Sequence, residues 1–229
     1  MKEMRNYVKK FVVLPLLAIS ASFVSCGEEE IGPDEKKIES PATLNAVDLG
    51  LSVLWANVNL GATTPEGHGA YFAWGEIGTK DFYDWSNYTF CNGMDYTQIT
   101  RYSSADGRKE LWDADDAAIY HWQNGWRIPT AGQFEELRTR CTWTWTTING
   151  VEGYQVKGSN GNSIFLPAVP HEFIDTEGNV STEGCYWSRN LSSSYWDCAQ
   201  CLVFRESSKG LQNYHRATGC CIRPVKAKP

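Results

Sequence analysis

Outside one short N-terminal stretch, the 229-residue sequence has no apolar run near the ~20 residues that cross a bilayer as a helix, which excludes an integral helical membrane protein. It also lacks the basic excess of a nucleic-acid binder. There are 21 Lys and Arg against 27 Asp and Glu, and without residues 1–25 the balance is 17 against 26, a formal net charge of −9. Nucleic-acid affinity depends on cations that neutralise phosphate, so no nucleic-acid partner is expected. A Gly-x-Ser-x-Gly elbow is absent, and His68, His121, His171 and His215 sit in unrelated contexts with no readable nucleophile, which leaves hydrolases without a starting point. His121 reads as a packed residue rather than a base. Glu172, Asp175 and Glu177 belong to a polar loop and read as solvated carboxylates. No internal repeat and no Gly/Ser-rich or Pro-rich linker divides the chain after Thr43, so one domain is the economical count.

What is present begins with an address. Lys2, Arg5, Lys9 and Lys10 form a basic n-region, and residues 11–23 are apolar but too short to span, the pattern of a signal peptide over 1–25. The stretch ends in Phe23-Val24-Ser25-Cys26, which resembles the lipobox cut by lipoprotein signal peptidase, with Phe23 where Leu is usual. That resemblance implies a mature chain beginning at an acylated Cys26 and held to the membrane through its N-terminal lipid, each buried methylene contributing about 0.8 kcal/mol. Residues 26–43 are acidic and poor in apolar side chains, and such a segment cannot offset its ordering entropy, so a flexible tether is expected. Acidic residues directly after the lipidated Cys also resemble the export signal of Bacteroidota surface lipoproteins, which implies an outer-membrane location facing the exterior. A solvated stalk with no sorting role is the alternative.

The domain then covers 44–226, with a short tail at 227–229. Ten Trp and ten Tyr are its compositional oddity, and they either build the core or stand exposed as platforms for ligands. Seven cysteines besides Cys26 are an odd number for an exported chain: Cys91, Cys141, Cys185, Cys198, Cys201, Cys220 and Cys221. Cys198, Cys201, Cys220 and Cys221 could supply four zinc thiolates, but adjacent cysteines chelate poorly. A disulfide from Cys198 or Cys201 to one of the later pair is favoured over metal, and Cys141 reads as a buried free thiol. No cofactor and no metal are expected.

Frequent turn residues, among them Gly61, Asn92-Gly93, Asp106-Gly107, Asn149-Gly150 and Asn160-Gly161, leave room for short elements. Residues 52–57, 154–157, 163–167 and 201–204 have the β-branched and aromatic content of strands. Residues 113–123 place Ala114, Ala117, Ala118 and Trp122 on one side of a helix, with acids at its N-terminal end. Thr130-Ala-Gly-Gln133 is a capping box, followed by Phe134, Leu137 and Cys141 at helical spacing.

Val47-Asp-Leu-Gly-Leu-Ser-Val-Leu-Trp55, Tyr71-Phe-Ala-Trp-Gly-Glu76, Gly125-Trp-Arg-Ile-Pro-Thr130, Gly161-Asn-Ser-Ile-Phe-Leu-Pro167 and Tyr186-Trp-Ser188 carry a resemblance. Over about residues 47–225 the chain resembles the Fibrobacter succinogenes major paralogous domain family of exported Bacteroidota proteins, a name that records abundance rather than function. More distantly, residues 118–137 are similar to the helix, Arg-Leu-Pro-Thr, helix block of formylglycine-generating enzymes. The implied fold is α+β, a C-type lectin-like domain with two short helices, antiparallel strands and long irregular loops. In that fold Arg127 and Glu135 or Glu136 look like structural partners across the helix start.

Three functions follow as expectations. The first is a surface-displayed, non-catalytic recognition module for a glycan or protein ligand. Calcium is not expected, because Leu166-Pro167-Ala168 and Val169-Pro170-His171 place no oxygen donors beside their prolines. The second is a structural or adhesive envelope protein. The third is a formylglycine-type oxidase using Cys198 and Cys201, whose two-residue gap departs from that family's pattern. For recognition, the ligand is expected at loops 171–184 and 189–197, with Tyr195 and Trp196 as a stacking platform and Arg189 and Asn190 as hydrogen-bonding groups.

Overall fold

In the computed structural model, residues 36–168 and 183–229 are described. The signal peptide, Cys26, most of the tether, and the carboxylate loop of Glu172, Asp175 and Glu177 lie outside them. The domain is mixed α+β, with mostly antiparallel strands in three sheets and two short helices. Among the described residues no helix is long and apolar enough to cross a membrane.

The first sheet joins the two ends of the domain. Strands β1 (Ala46–Asp48) and β2 (Val53–Ala56) form a hairpin whose turn is fixed by Gly50, at φ 76°, donating its N–H to Asp48 Oδ1 at 2.8 Å. The last strand pairs with both β2 and β3 (Trp126–Arg127), giving the antiparallel order β1-β2-β10-β3 with β10 at Val225–Ala227. Contacts reach back beyond residue 44, since Ile38 donates its N–H to His121 Nδ1 at 3.0 Å and packs against the core. The C-terminal end of the expected tether therefore lies against the domain. His121 accepts at Nδ1, so its Nε2 carries the proton and donates to the Ile77 carbonyl at 2.7 Å, a buried structural role.

Asn149 and Gly150 take positive φ, 49° and 85°, the two-residue turn whose twist matches paired strands. They join β4 (Thr142–Ile148) to β5 (Val151–Lys157), and β6 (Ser163–Pro167) completes the second sheet. Alternation along β4 sets Trp143 and Trp145 on one face, where each meets the Tyr154 ring edge-on. The third sheet is β7 (Gly184–Leu191), β8 (Cys198–Arg205) and β9 (Ser208–His215), and its central strand β8 is buried at nearly every position.

The two helices differ from their sequence readings in one respect. Residues 113–115 form a 3-10 turn, and α1 is confined to Ala117–Trp122, because Asp116 turns inward and caps it by accepting from the N–H groups of Ala118 and Ile119. Ala117, Ala118 and Trp122 are buried as expected, whereas Ala114 precedes the helix and is exposed. Helix α2 (Ala131–Arg140) has the reciprocal Thr130/Gln133 capping box and buries Phe134 and Leu137. Arg127 does not pair with Glu135 or Glu136. It donates to Gln133 Oε1 at 3.1 Å, while Glu135 pairs with Arg138 and Glu136 holds Ser52 and Arg140.

Most aromatic rings build the core, and Trp55, Trp74 and Trp187 are fully buried. The Trp74 and Trp187 indoles donate to the carbonyls of Ser188 (2.9 Å) and Phe72 (2.7 Å). Two buried arginines tie loops to this core. Arg223 reaches Asn59 and the carbonyls of Ala56 and Phe165, and burial lowers its pKa to about 10. Arg216 holds the Arg101 carbonyl at 2.9 Å and lies over the rings of Trp74 and Tyr88.

Candidate functional site

Among the described residues, the large apolar side chains left exposed are Phe82, Met94, Tyr96, Tyr195 and Trp196. All five come from two segments, 82–96 and 195–196. A ring contact joins the segments, with the Trp196 and Tyr96 centroids 6.1 Å apart at 62°. Tyr96 meets Trp85 at 6.4 Å, and Trp85 meets His215 at 5.8 Å. A row of Trp196, Tyr96, Trp85 and His215 results, anchored inward by the Trp85–Tyr88 contact at 5.6 Å and by the Tyr88 hydroxyl donating to the Trp74 carbonyl. Apolar side chains gathered in this way cost solvation free energy and are the usual mark of a binding surface.

Local sequence fixes each ring. Asp84-Trp85-Ser86-Asn87 and Asp95-Tyr96-Thr97-Gln98 share one pattern, an Asp that caps a 3-10 turn, an aromatic at the first helical position, a hydroxyl and an amide. In both, the Asp carboxylate accepts the N–H two residues on, at 2.8 Å, and the hydroxyl of that same residue. The second turn is closed by Asn92 N–H to the Gln98 carbonyl and Thr100 N–H to the Phe90 carbonyl. The loop carrying Tyr195 and Trp196 is closed by Ser192 and Cys198, whose backbone N–H groups donate to the carbonyls of Cys198 and Tyr195. Ser192 Oγ also accepts from the N–H groups of Ser194 and Tyr195. The rings are thus held without a ligand, which lowers the ordering cost of binding one.

At the His215 end the row is polar. Asp197 Oδ2 lies 3.1 Å from His215 Nδ1, and Cys198 Sγ lies 3.8 Å from the same nitrogen. Burial, and next the neighbouring Asp197, push the Cys198 thiol up to about 12.

The residues expected at the site divide cleanly. Tyr195 and Trp196 are exposed, at 57% and 43%, unlike the buried Trp187. Arg189 and Asn190, in contrast, are strand residues of β7 that face protein partners. Arg189 is buried among Glu110 (2.7 Å), Asp113 (3.1 Å) and Asp116 (3.9 Å) and also donates to the Leu111 carbonyl. Asn190 Oδ1 accepts the Ala131 N–H at 2.8 Å at the start of α2. Arg189 is thus engaged within the fold and the Asn190 side-chain oxygen is used at the start of α2, and the loop is shorter than expected, since β7 continues to Leu191. Of the other expected loop, only Glu183 and Gly184 are described, and Gly184 opens β7.

The cysteine expectations also change. The seven cysteines at positions 91–221 are thiols rather than disulfides, and Cys141 is only half-buried at the end of α2. Cys220 lies beside Cys185, with 2.8 Å between sulfurs, rather than beside Cys198. Cys198 and Cys201 stand three residues apart on an unbroken strand and so face opposite sides of it, which separates the pair that a four-thiolate zinc site or a formylglycine-type centre would need.

The sequence reading missed Trp85, Tyr96 and His215, and held Asp197 only as the end of the 189–197 loop. The repeated Asp-aromatic-hydroxyl-amide pattern was a local signal for the first two, whereas His215 joins the row only through strand pairing. Comparison of the chain with family models, with curated proteins and with solved structures gave no match.

Proposed function

We propose that the chain is a lipid-anchored, surface-displayed recognition module that binds carbohydrate, without calcium, on the row formed by Trp196, Tyr96 and Trp85. The observation that carries this reading is the Tyr96–Trp196 contact, which brings one exposed ring from each of two separate loops together. Pyranose rings present C–H faces that pack on aromatic rings, and their hydroxyls need donors and acceptors at the edge of the stack. Asp197 and His215 supply both at the end of the row. The mixed α+β topology, with its first and last strands in one sheet, supports a C-type lectin-like domain. The Fibrobacter-type family assignment rests on the sequence blocks alone.

Probing glycan and host-protein arrays with the full chain tests this reading. Glycan binding that needs no added Ca2+ and is weakened by Trp196→Ala is the expected result. Binding to proteins only, at the same residues, would make the chain an adhesin instead. The anchor is tested separately: fatty-acid analogue labelling should vanish in Cys26→Ala, and equal labelling of both forms would remove it.

A further inference from the structure

We propose that Asp197, Cys198 and His215 form a binding site for a divalent transition-metal ion of the zinc class. The ligand atoms of these three side chains lie within 4.8 Å of one another, and they are the group of this kind found among the described residues. Their separations suit a tetrahedral ion. With bonds of about 2.3 Å to sulfur and about 2.0–2.1 Å to nitrogen or oxygen, such an ion holds neighbouring donors roughly 3.4–3.6 Å apart. Here the nitrogen lies 3.1 Å from the carboxylate oxygen and 3.8 Å from the sulfur, so shifts of a few tenths of an ångström complete the geometry.

The backbone already holds the three donors in place. Cys198 and His215 are direct partners across the β8–β9 ladder, and Arg216 N–H donates to the Asp197 carbonyl at 3.0 Å, closing the end of the hairpin. Thiolate, imidazole and carboxylate together favour zinc-like ions over calcium or magnesium, which prefer oxygen alone. Three protein donors leave a fourth position for water or another ligand. The His215 side chain is half exposed, so that position has access to solvent. On binding, the Cys198 S–H bond breaks, a metal–sulfur bond forms, and the proton leaves to solvent. The site borders the aromatic row through the Trp85–His215 contact and shares Asp197 and His215 with its polar end, but metal binding by these side chains does not depend on the carbohydrate reading.

Cobalt(II) tests the proposal, because a thiolate ligand gives it a charge-transfer absorption that oxygen and nitrogen ligands do not. The full chain, kept in detergent on account of its apolar N-terminal stretch and reduced with a phosphine, is titrated with Co2+. One equivalent should bind with the thiolate band, Zn2+ should displace it, and Ca2+ should not. Cys198→Ser should abolish the band. His215→Ala, a change at a half-exposed side chain, should weaken Co2+ by at least about tenfold with the thermal unfolding midpoint retained. Cys91→Ser and Cys141→Ser should change neither. Absence of the band in the folded chain, its survival in Cys198→Ser, or unchanged affinity in His215→Ala would each overturn the site.

Discussion

The Trp196 ring meets the Tyr96 ring edge-on, 6.1 Å between centroids, although the two residues belong to loops a hundred positions apart. Both rings are substantially exposed and both loops are closed by their own backbone hydrogen bonds. Neither ring is needed to fill the core. Trp196→Ala and Tyr96→Ala should therefore each change unfolding free energy by no more than about 0.5 kcal/mol, the range of surface substitutions. Urea denaturation checks this, and a loss of several kcal/mol would mean that the row is structural.

Arg189 should behave in the opposite way. It is buried between Glu110, Asp113 and Asp116, so Arg189→Ala takes the ion-paired cation from the buried Asp116 and should cost about 3–5 kcal/mol in urea unfolding. Near-neutral stability of the variant would place the strength of this junction elsewhere.

Asp116 gives the fold a pH dependence. Burial raises its pKa from 3.8 to about 6, against the N–H groups of Ile128, Ile119 and Ala118 and the charge of Arg189, which pull it down. The folded state holds this proton more tightly than the unfolded chain. The associated stability is present in full below pH 3.8 and is lost as pH rises through about 6. Asp116→Asn, which cannot ionise, should show a smaller fall in unfolding free energy between pH 4 and 7 than wild type, by roughly 2–3 kcal/mol. Parallel pH profiles for the two proteins would refute the assignment. An amide in place of this carboxylate cannot accept on both of its terminal atoms, so the variant should also be less stable throughout.

Gly184 opens β7 opposite Phe204, and a Cβ there would stand 2.3 Å from the Phe204 ring. Gly184→Ala should cost about 1–3 kcal/mol through displacement of that ring from the core. Gly210→Ala, in β9 on the far side of β8 and with open space at its Cβ, should be tolerated within about 0.5 kcal/mol. Thermal unfolding of the pair compares them directly, and equal losses would contradict the packing.

These contrasts show which features could be read from the sequence. The Thr130/Gln133 capping box and the Asn149-Gly150 turn were legible because local conformation decides them, whereas the strand before that turn, β4, was not read from the sequence. The inward role of Arg189 was not legible, since its partner Asp113 lies 76 residues away and a polar side chain in a strand faces in or out according to which sheet covers it. Trp187 and Trp196 are both tryptophans near serines, and only the ladder between β7 and β8 separates the buried one from the exposed one. Of the row, only Trp196 was therefore found from composition and loop position; Tyr96 and Trp85 lie in another segment, and the polar end was hidden until the β8–β9 pairing set His215 beside Asp197 and Cys198.

Carbohydrate recognition as proposed requires Tyr96 and Trp196 to act as one binding surface. The most direct measurement is the calorimetric affinity of wild type, Tyr96→Ala, Trp196→Ala and the double variant for the strongest carbohydrate found on the array. Each single change should weaken binding by about tenfold, or about 1.4 kcal/mol, with folding unchanged, and the double variant should bind too weakly to measure. Affinity that survives in the double variant would contradict the claim.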